Sequence, residues 1–278
     1  MKAIVSENNT ETGAETVSFP KNDNPNQIIP KQERNAIMNK SEQPVAIVTG
    51  ASSGIGLRIT QALLERGWSV VGTSRTISKS KDLQASPHLV LVDGEASKKE
   101  TAVQVMKAAI KHFGRIDLLV NNAGIFVPKP FTDYTEADYN RVMNTNVASM
   151  FFMSQQVIPE MKQQHSGHVV NISATLADQP AGGVPAFLAI LSKSPMPAVS
   201  KALALEFAAD NIRFNTVSPG VVNTPMHANE DHSALAKFHP LNRIAETSDI
   251  VDAVLYLQNA TFVTGENIHV DGGFHAGR

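Results

Sequence analysis

The sequence contains no cysteine in 278 residues, which excludes disulfides, thiolate metal sites and a cysteine nucleophile. It has almost no net charge: 24 basic against 26 acidic residues give −2. That excludes the strong positive field of a general nucleic-acid binder. No apolar run approaches the roughly 18 residues of a membrane span. The start, Met1 to Val5, turns polar at once, so no signal-peptide core is expected. These absences predict a cytoplasmic protein with neither nucleic-acid nor membrane partners. Aromatic residues are also few, with one Trp and three Tyr, and the positions of those tyrosines matter below.

What is present divides unevenly. Residues 1–43 carry seven Asn and Pro20, Pro25 and Pro30, with no apolar periodicity. Such a segment buries too little apolar surface to offset its ordering entropy, so a disordered or extended arm is expected there. From Pro44 to residue 278, short β-rich runs alternate with helical stretches. The runs are Val45–Thr49, Ser69–Thr73, Leu89–Val92, Ile116–Asn121, His168–Ile172, Ile212–Val217 and Asn267–Val270. Between them lie Ile55–Arg66, Lys99–Phe113, Glu136–Gln156 and Ala198–Ala208. The strand runs lack in/out alternation, as strands covered on both faces do. The pattern predicts one α/β domain, a doubly wound parallel sheet of about seven strands with helices on both faces.

Val45–Thr49 leads straight into Gly50-Ala51-Ser52-Ser53-Gly54-Ile55-Gly56 and then a helix. Glycines at a strand-to-helix turn let the backbone approach a diphosphate, and the helix N-terminus offers free N–H groups and partial positive charge. The spacing Thr49–Gly56 resembles the short-chain dehydrogenase/reductase family. Asn121-Asn122-Ala123-Gly124, Asn144-Thr145-Asn146-Val147, the run Asn211 to Gly220, and Val270-Asp271-Gly272-Gly273 extend the resemblance in order over residues 44 to about 275.

The resemblance implies a Rossmann-type nicotinamide dinucleotide domain and assigns its contacts. Gly50, Ser52, Ser53 and Ile55 would line the pyrophosphate and ribose. Asp93 would meet the adenine amino group, and Asn122, Ala123 and Gly124 the adenosine ribose. Pro219, Gly220, Val222 and Thr224 would hold the nicotinamide amide. At the end of the second strand, an acid would bind a free ribose 2′-hydroxyl. Here Ser74 takes that place and Arg75 follows, whose guanidinium can pair with a 2′-phosphate. NADP(H) is therefore favoured over NAD(H).

The family's chemistry uses a serine on the substrate carbonyl, a tyrosine as proton donor, a lysine four residues later and an asparagine that anchors a relay water. Lys193, which would also hold the cofactor ribose, and Asn146 match. The tyrosine would fall at residue 189, which is alanine. A frame at Phe187 would pair it with Leu191 and fails too, and Tyr134, Tyr139 and Tyr256 all lie elsewhere. In the commoner register the serine's place falls near Ala174. Ser173, or else Thr175, is expected to take its part if the loop shifts by a residue. Pro195 and Pro197 break the expected helix, so a helix starting at Ser194 as N-cap is predicted, with residues 189–193 outside it or beyond a kink.

His227, His232 and His239, with Glu230 and Asp231, match no standard zinc spacing, so no metal is expected and the segment reads as a polar lid over the substrate. Met150 to Met153 read as core or subunit interface, and the resemblance implies a homodimer or homotetramer. Two functions remain. The first is an NADP(H)-dependent oxidoreductase acting on a small-molecule carbonyl/alcohol pair, its proton supplied by water ordered at Asn146 and Lys193 or by the Thr175 or Ser192 hydroxyl. The second is a dinucleotide-binding protein with little or no turnover, acting as a sensor or non-catalytic subunit.

Overall fold

The computed structural model describes residues 43–277. The arm expected over residues 1–43 therefore lies, but for Gln43, outside the described residues. Seven parallel strands form one sheet: β1 Val45–Thr49, β2 Ser69–Ser74, β3 Leu89–Asp93, β4 Leu118–Asn121, β5 Gly167–Ile172, β6 Ile212–Pro219 and β7 Asn267–Val270. Their order is β3-β2-β1-β4-β5-β6-β7. The chain runs outward from β1 to β3, then crosses back to β4 on the other side of β1. That reversal opens a crevice at the carboxyl ends of β1 and β4, where such sheets bind ligands.

Both faces of the sheet are covered, which is why the strand runs read as continuously apolar. Alternate residues of β1 serve opposite layers. Ala46 and Val48 pack with Ile59 and Leu63 of α1 (Gly54–Glu65) and with Ile250, Val254 and Leu257 of the late helix Thr247–Asn259. Val45 and Ile47 pack with Val105 and Ala109 of α2 (Lys99–Phe113) and with Met153 and Val157.

The helix expected over Glu136–Gln156 is instead three segments. These are α3 (Glu136–Met143), a π-helical turn (Asn144–Ala148) and α4 (Ser149–Gln164). A π-turn inserts a residue into the helical ladder and commonly marks a functional position. Here it carries Asn146. After β5 come α5 (Thr175–Asp178), α6 (Phe187–Lys193) and α7 (Pro195–Glu206), then α8 (His232–Ala236) beyond β6 and α9 (Thr247–Asn259) before β7.

Residues 189–193 lie outside the helix that begins at Pro195, as the two prolines predict, but they are themselves helical. They form α6, and Ser194 keeps helical dihedrals (φ −56°, ψ −33°) between α6 and α7. Pro195 does stand at the first position of α7, where a missing N–H costs least. Ser194, however, makes no side-chain cap; its hydroxyl donates to the Ala177 carbonyl at 2.7 Å.

The far end of the sheet is tied by Arg213 on β6. Its guanidinium donates to the carbonyls of Leu257, Ala260 and Val263 through one nitrogen and to that of Gln258 through another, gathering the C-terminus of α9. A cation there also meets the negative end of the helix dipole. Beside it His168 is buried and pushed down to about 3, by burial first and by the Arg213 charge second. It stays neutral, accepting from Asn215 at Nε2 and donating from Nδ1 to Gln258. Arg213→Met removes a charged donor to four carbonyls and is expected to cost about 2–4 kcal/mol. Chemical denaturation with unchanged slope and a lower midpoint is the expected reading.

Candidate active site

The two carboxyl ends at the switch point are clasped together. Thr49, buried at the end of β1, accepts at Oγ1 from the backbone N–H of Asn122 (3.0 Å) and of Ala123 (2.9 Å). Asn122 returns the contact, its Nδ2 donating to the Thr49 carbonyl at 2.9 Å. Gly50 turns away with φ +66° and Gly54 with φ +53°, both in the left-handed region that favours glycine. At Gly56 a Cβ would stand 2.3 Å from the Gly50 carbonyl oxygen and 2.5 Å from Asn122 Nδ2, so no larger residue fits without opening the turn. Ser53 precedes α1 with no side-chain cap, and the first turn holds no acidic residue. The helix thus offers uncompensated N–H groups and its positive end, the chemistry that binds a diphosphate.

This turn lines a cavity of about 490 Å³. Of the expected cofactor contacts, Gly50, Ser53, Ile55, Asn122, Ala123, Gly124, Lys193, Pro219, Gly220, Val222 and Thr224 stand in its wall. Three do not. Ser52 lies in the same turn, half-buried, outside the wall. Arg75 is exposed immediately after β2. Asp93 is exposed at the end of β3, and the N–H and O–H of Ser78 hold its carboxyl below the usual carboxylate range.

The expected catalytic residues meet in an unusual way. Ala189 and Lys193 lie one helical turn apart on α6 and both line the cavity. Pro197 has no N–H for the Lys193 carbonyl, which would otherwise receive a bond from that position. The Ser173 hydroxyl supplies it instead, donating to the Lys193 carbonyl at 3.1 Å. In return the Lys193 ammonium donates to the Ser173 carbonyl at 2.8 Å. Ser173 is thus in the wall, with its hydroxyl proton committed to the backbone of α6.

Asn146 is buried behind the wall. Its Oδ1 accepts from the Ile125 N–H at 2.8 Å, and its Nδ2 donates to the Ile125 carbonyl and to Ser192 Oγ. Ser192 in turn donates to the Ala189 carbonyl at 3.2 Å. Thr175, also expected as a hydroxyl donor, is buried against the Ser218 carbonyl and the Asp271 carboxylate. These two hydroxyls are bound within the protein.

Two features escaped sequence reading. One is the apolar wall of Phe126, Pro185, Leu235, Phe238 and Phe274, drawn from separate loops with no shared motif. The other concerns the histidines of the expected lid, which divide into different roles. His239 is buried, its Nε2 accepting from the Val221 N–H at 3.1 Å, and a Cβ on Gly220 would reach to 2.5 Å of that nitrogen. His227 lines the cavity and pairs with Glu230, Nδ1 to Oε1 at 3.0 Å. Among the described residues no group of three or more such side chains is placed to hold a metal ion, and no helix is long and apolar enough to cross a membrane.

Comparison with known proteins identifies the family. Residues 50–275 match the family described as enoyl-(acyl carrier protein) reductase. The chain belongs to the short-chain dehydrogenase/reductase family of oxidoreductases. It is 36% identical over 243 residues to 3α-hydroxysteroid dehydrogenase of Mediterraneibacter gnavus, spanning 82% of this chain and 95% of that one. It is 33% identical over 249 residues to acetoacetyl-CoA reductase of an Acinetobacter species, spanning 84% and 99%. Among solved structures, ElxO with NADP bound superposes with a TM-score of 0.77 at 25% identity, covering 84% of this chain and all of that one. Ligand-free aldohexose dehydrogenase of Thermoplasma acidophilum gives 0.77 at 26% identity, covering 86% and 96%.

Lys193 carries a measurable signature. Burial without a carboxylate partner pushes its ammonium down to about 8 from an ordinary 10.5. Between those values the unfolded chain binds a proton that the folded protein does not, so stability rises with pH through that window. Below it the penalty is complete. Lys193→Met is therefore expected to raise the melting temperature at pH 7, with the gain shrinking as pH approaches 10. Melting curves of both proteins across that range measure it; a pH-independent difference would mean that the ammonium pays no such penalty.

Proposed function

We propose that the chain is an NADP(H)-dependent oxidoreductase that reduces a carbonyl on an apolar small molecule, or oxidises the matching alcohol, with a non-standard proton donor. The observation that carries this reading is one cavity walled by both the uncapped glycine turn and Lys193. When bound, the nicotinamide cofactor supplies hydride transfer. The protein's residues then have distinct tasks. Gly50, Ser53, Ile55 and the first turn of α1 receive the diphosphate, and Ser52 stands behind them in the same turn. Asn122, Ala123 and Gly124 pack along the adenosine ribose, Asp93 meets the adenine, and Pro219, Gly220, Val222 and Thr224 hold the nicotinamide amide. Lys193 holds the second ribose and brings positive charge toward the reacting oxygen, and Asn146 fixes the Ile125 loop and Ser192 behind it.

Ala189 stands where the family's tyrosine would be. Ser173, its proton given to the Lys193 carbonyl, can still accept a hydrogen bond but is not the acid. The solved relative with NADP bound and the relatives named acetoacetyl-CoA reductase and 3-oxoacyl-[acyl-carrier-protein] reductase support the cofactor and reaction class. The apolar wall supports an apolar substrate. A homodimer or homotetramer is part of the reading, with the half-exposed Phe151 on α4 a suitable contact.

Titration with NADPH and NADH, beside a panel of aldehydes and ketones, tests this directly. NADPH is expected to bind more tightly than NADH. Gly56→Ala is expected to abolish binding of both. Arg75→Met should weaken NADPH by roughly tenfold or more while leaving NADH nearly unchanged, since a guanidinium–phosphate contact is worth a few kcal/mol at most. Equal losses for both would remove Arg75 from the site. Because α6 keeps its register, Ala189→Tyr alone, with both prolines retained, is expected to raise the reduction rate; no gain would show that residue 189 does not face the reacting oxygen.

A further inference from the structure

A carbonyl reduction needs a proton as well as a hydride, and the three hydroxyls expected at the catalytic centre are bound elsewhere. Ser173 donates to the Lys193 carbonyl, Ser192 to the Ala189 carbonyl, and Thr175 is held by Ser218 and Asp271. Of the ionisable side chains in the wall, His239 is fixed by Val221 and desolvated, which disfavours its charged form. That leaves Lys193, His227 and Glu230.

His227 differs from the others in being built like an acid–base group. It sits on a short 3₁₀ turn, Pro225–His227, directly after Thr224, whose place is at the cavity wall. Its Nδ1 is held by Glu230, a carboxylate that orients the ring as a carboxylate does in a general acid–base pair. Its Nε2 has no hydrogen-bond partner among the described residues. The histidine side chain is 16% exposed and the glutamate 49%, so the pair reaches from the cavity wall to bulk water. The turn is itself secured: His232 Nε2 donates to the His227 carbonyl, and Asp231 caps α8 through Ser233 and Ala234.

We propose that His227, oriented by Glu230, is the proton donor to the carbonyl oxygen, taking the part for which Ala189 has no group. The assignment rests on the oxidoreductase reading above. In the reduction, hydride from a reduced nicotinamide dinucleotide bonds to the carbonyl carbon and the C=O π pair moves to oxygen. The Nε2–H bond of the imidazolium breaks and its proton goes to that oxygen, giving the alcohol. The neutral imidazole keeps its Nδ1–H on Glu230 and regains a proton from water. Alcohol oxidation runs the same transfers backward, with His227 as base.

The test uses the full chain, with NADPH binding and ketone reduction measured separately. His227→Gln is expected to bind NADPH within about twofold of the unmodified protein while its turnover falls roughly 10²-fold, the usual contribution of a general acid. His227→Ala should regain part of that loss when imidazole is added. Glu230→Gln should lower turnover less, with the Michaelis constant nearly unchanged. In the cofactor-free protein, the same variant should shift the ring ¹⁵N signal of His227, identified by its absence from His227→Gln. Unchanged turnover in His227→Gln overturns the assignment and leaves the oxidoreductase reading intact. If His227→Gln fails to fold, Glu230→Gln decides: unchanged turnover and an unchanged ¹⁵N signal overturn the pair. An unmodified protein that binds NADPH but reduces nothing overturns both the donor and the enzyme; one that binds no dinucleotide overturns the reading on which both rest.

Discussion

The hydrogen-bonded clasp between Thr49 and Asn122 sets the geometry from which the site follows. A parallel sheet that reverses direction must part its two central strands at their carboxyl ends, leaving polar backbone at the base of a crevice. Thr49 Oγ1 closes that gap by accepting two N–H groups from the start of the β4 loop, and Asn122 answers with its amide on the Thr49 carbonyl. Three backbone groups that water would otherwise have to reach are thereby satisfied. Held in this way, Gly50 and Gly56 pack against Asn122 so closely that any side chain would force the strands apart. These bonds hold the crevice in place, which lowers the cost of binding in it.

Much of this was legible in the sequence, for identifiable reasons. All seven strands fall within a few residues of their expected runs because buried parallel strands must be apolar on both faces. The glycine turn was legible because φ values of +66° and +53° leave few other residues. The helices after β4 and β5 were less so. The π-turn at Asn144–Ala148 has no signature in apolar spacing, since it shifts the ladder by one residue without altering composition. The proline pair marks the boundary between α6 and α7, although the segment before it stays helical. Proline removes donors and crowds the preceding turn, but at the first turn of α7 one donor is unneeded and a neighbouring hydroxyl replaces the other. The apolar cavity wall was invisible because its members meet only in three dimensions.

The site joins three kinds of surface. The positive end of α1 and Lys193 present charge that no acidic side chain among the described residues neutralises, so binding an anionic ligand relieves a cost already present in the fold. His227 and Glu230 add a polar pair open to water. Aromatic and aliphatic side chains line other parts of the wall and strengthen the polar contacts made beside them. This arrangement is in keeping with the proposed pairing of a dinucleotide with an apolar carbonyl compound.

The exchange between Ser173 and Lys193 also constrains how the sequence can drift. Pro197 deprives the Lys193 carbonyl of its ordinary partner, and Ser173 makes good the loss. Losing the serine while the proline remains strands a half-buried acceptor, a penalty of about 1–3 kcal/mol. With a residue bearing an N–H at 197, the same serine is free to turn toward the cavity. The two positions are therefore epistatic. A lineage that acquired the proline has its serine conscripted as scaffold, and the path back to a substrate-facing hydroxyl must pass through position 197 first.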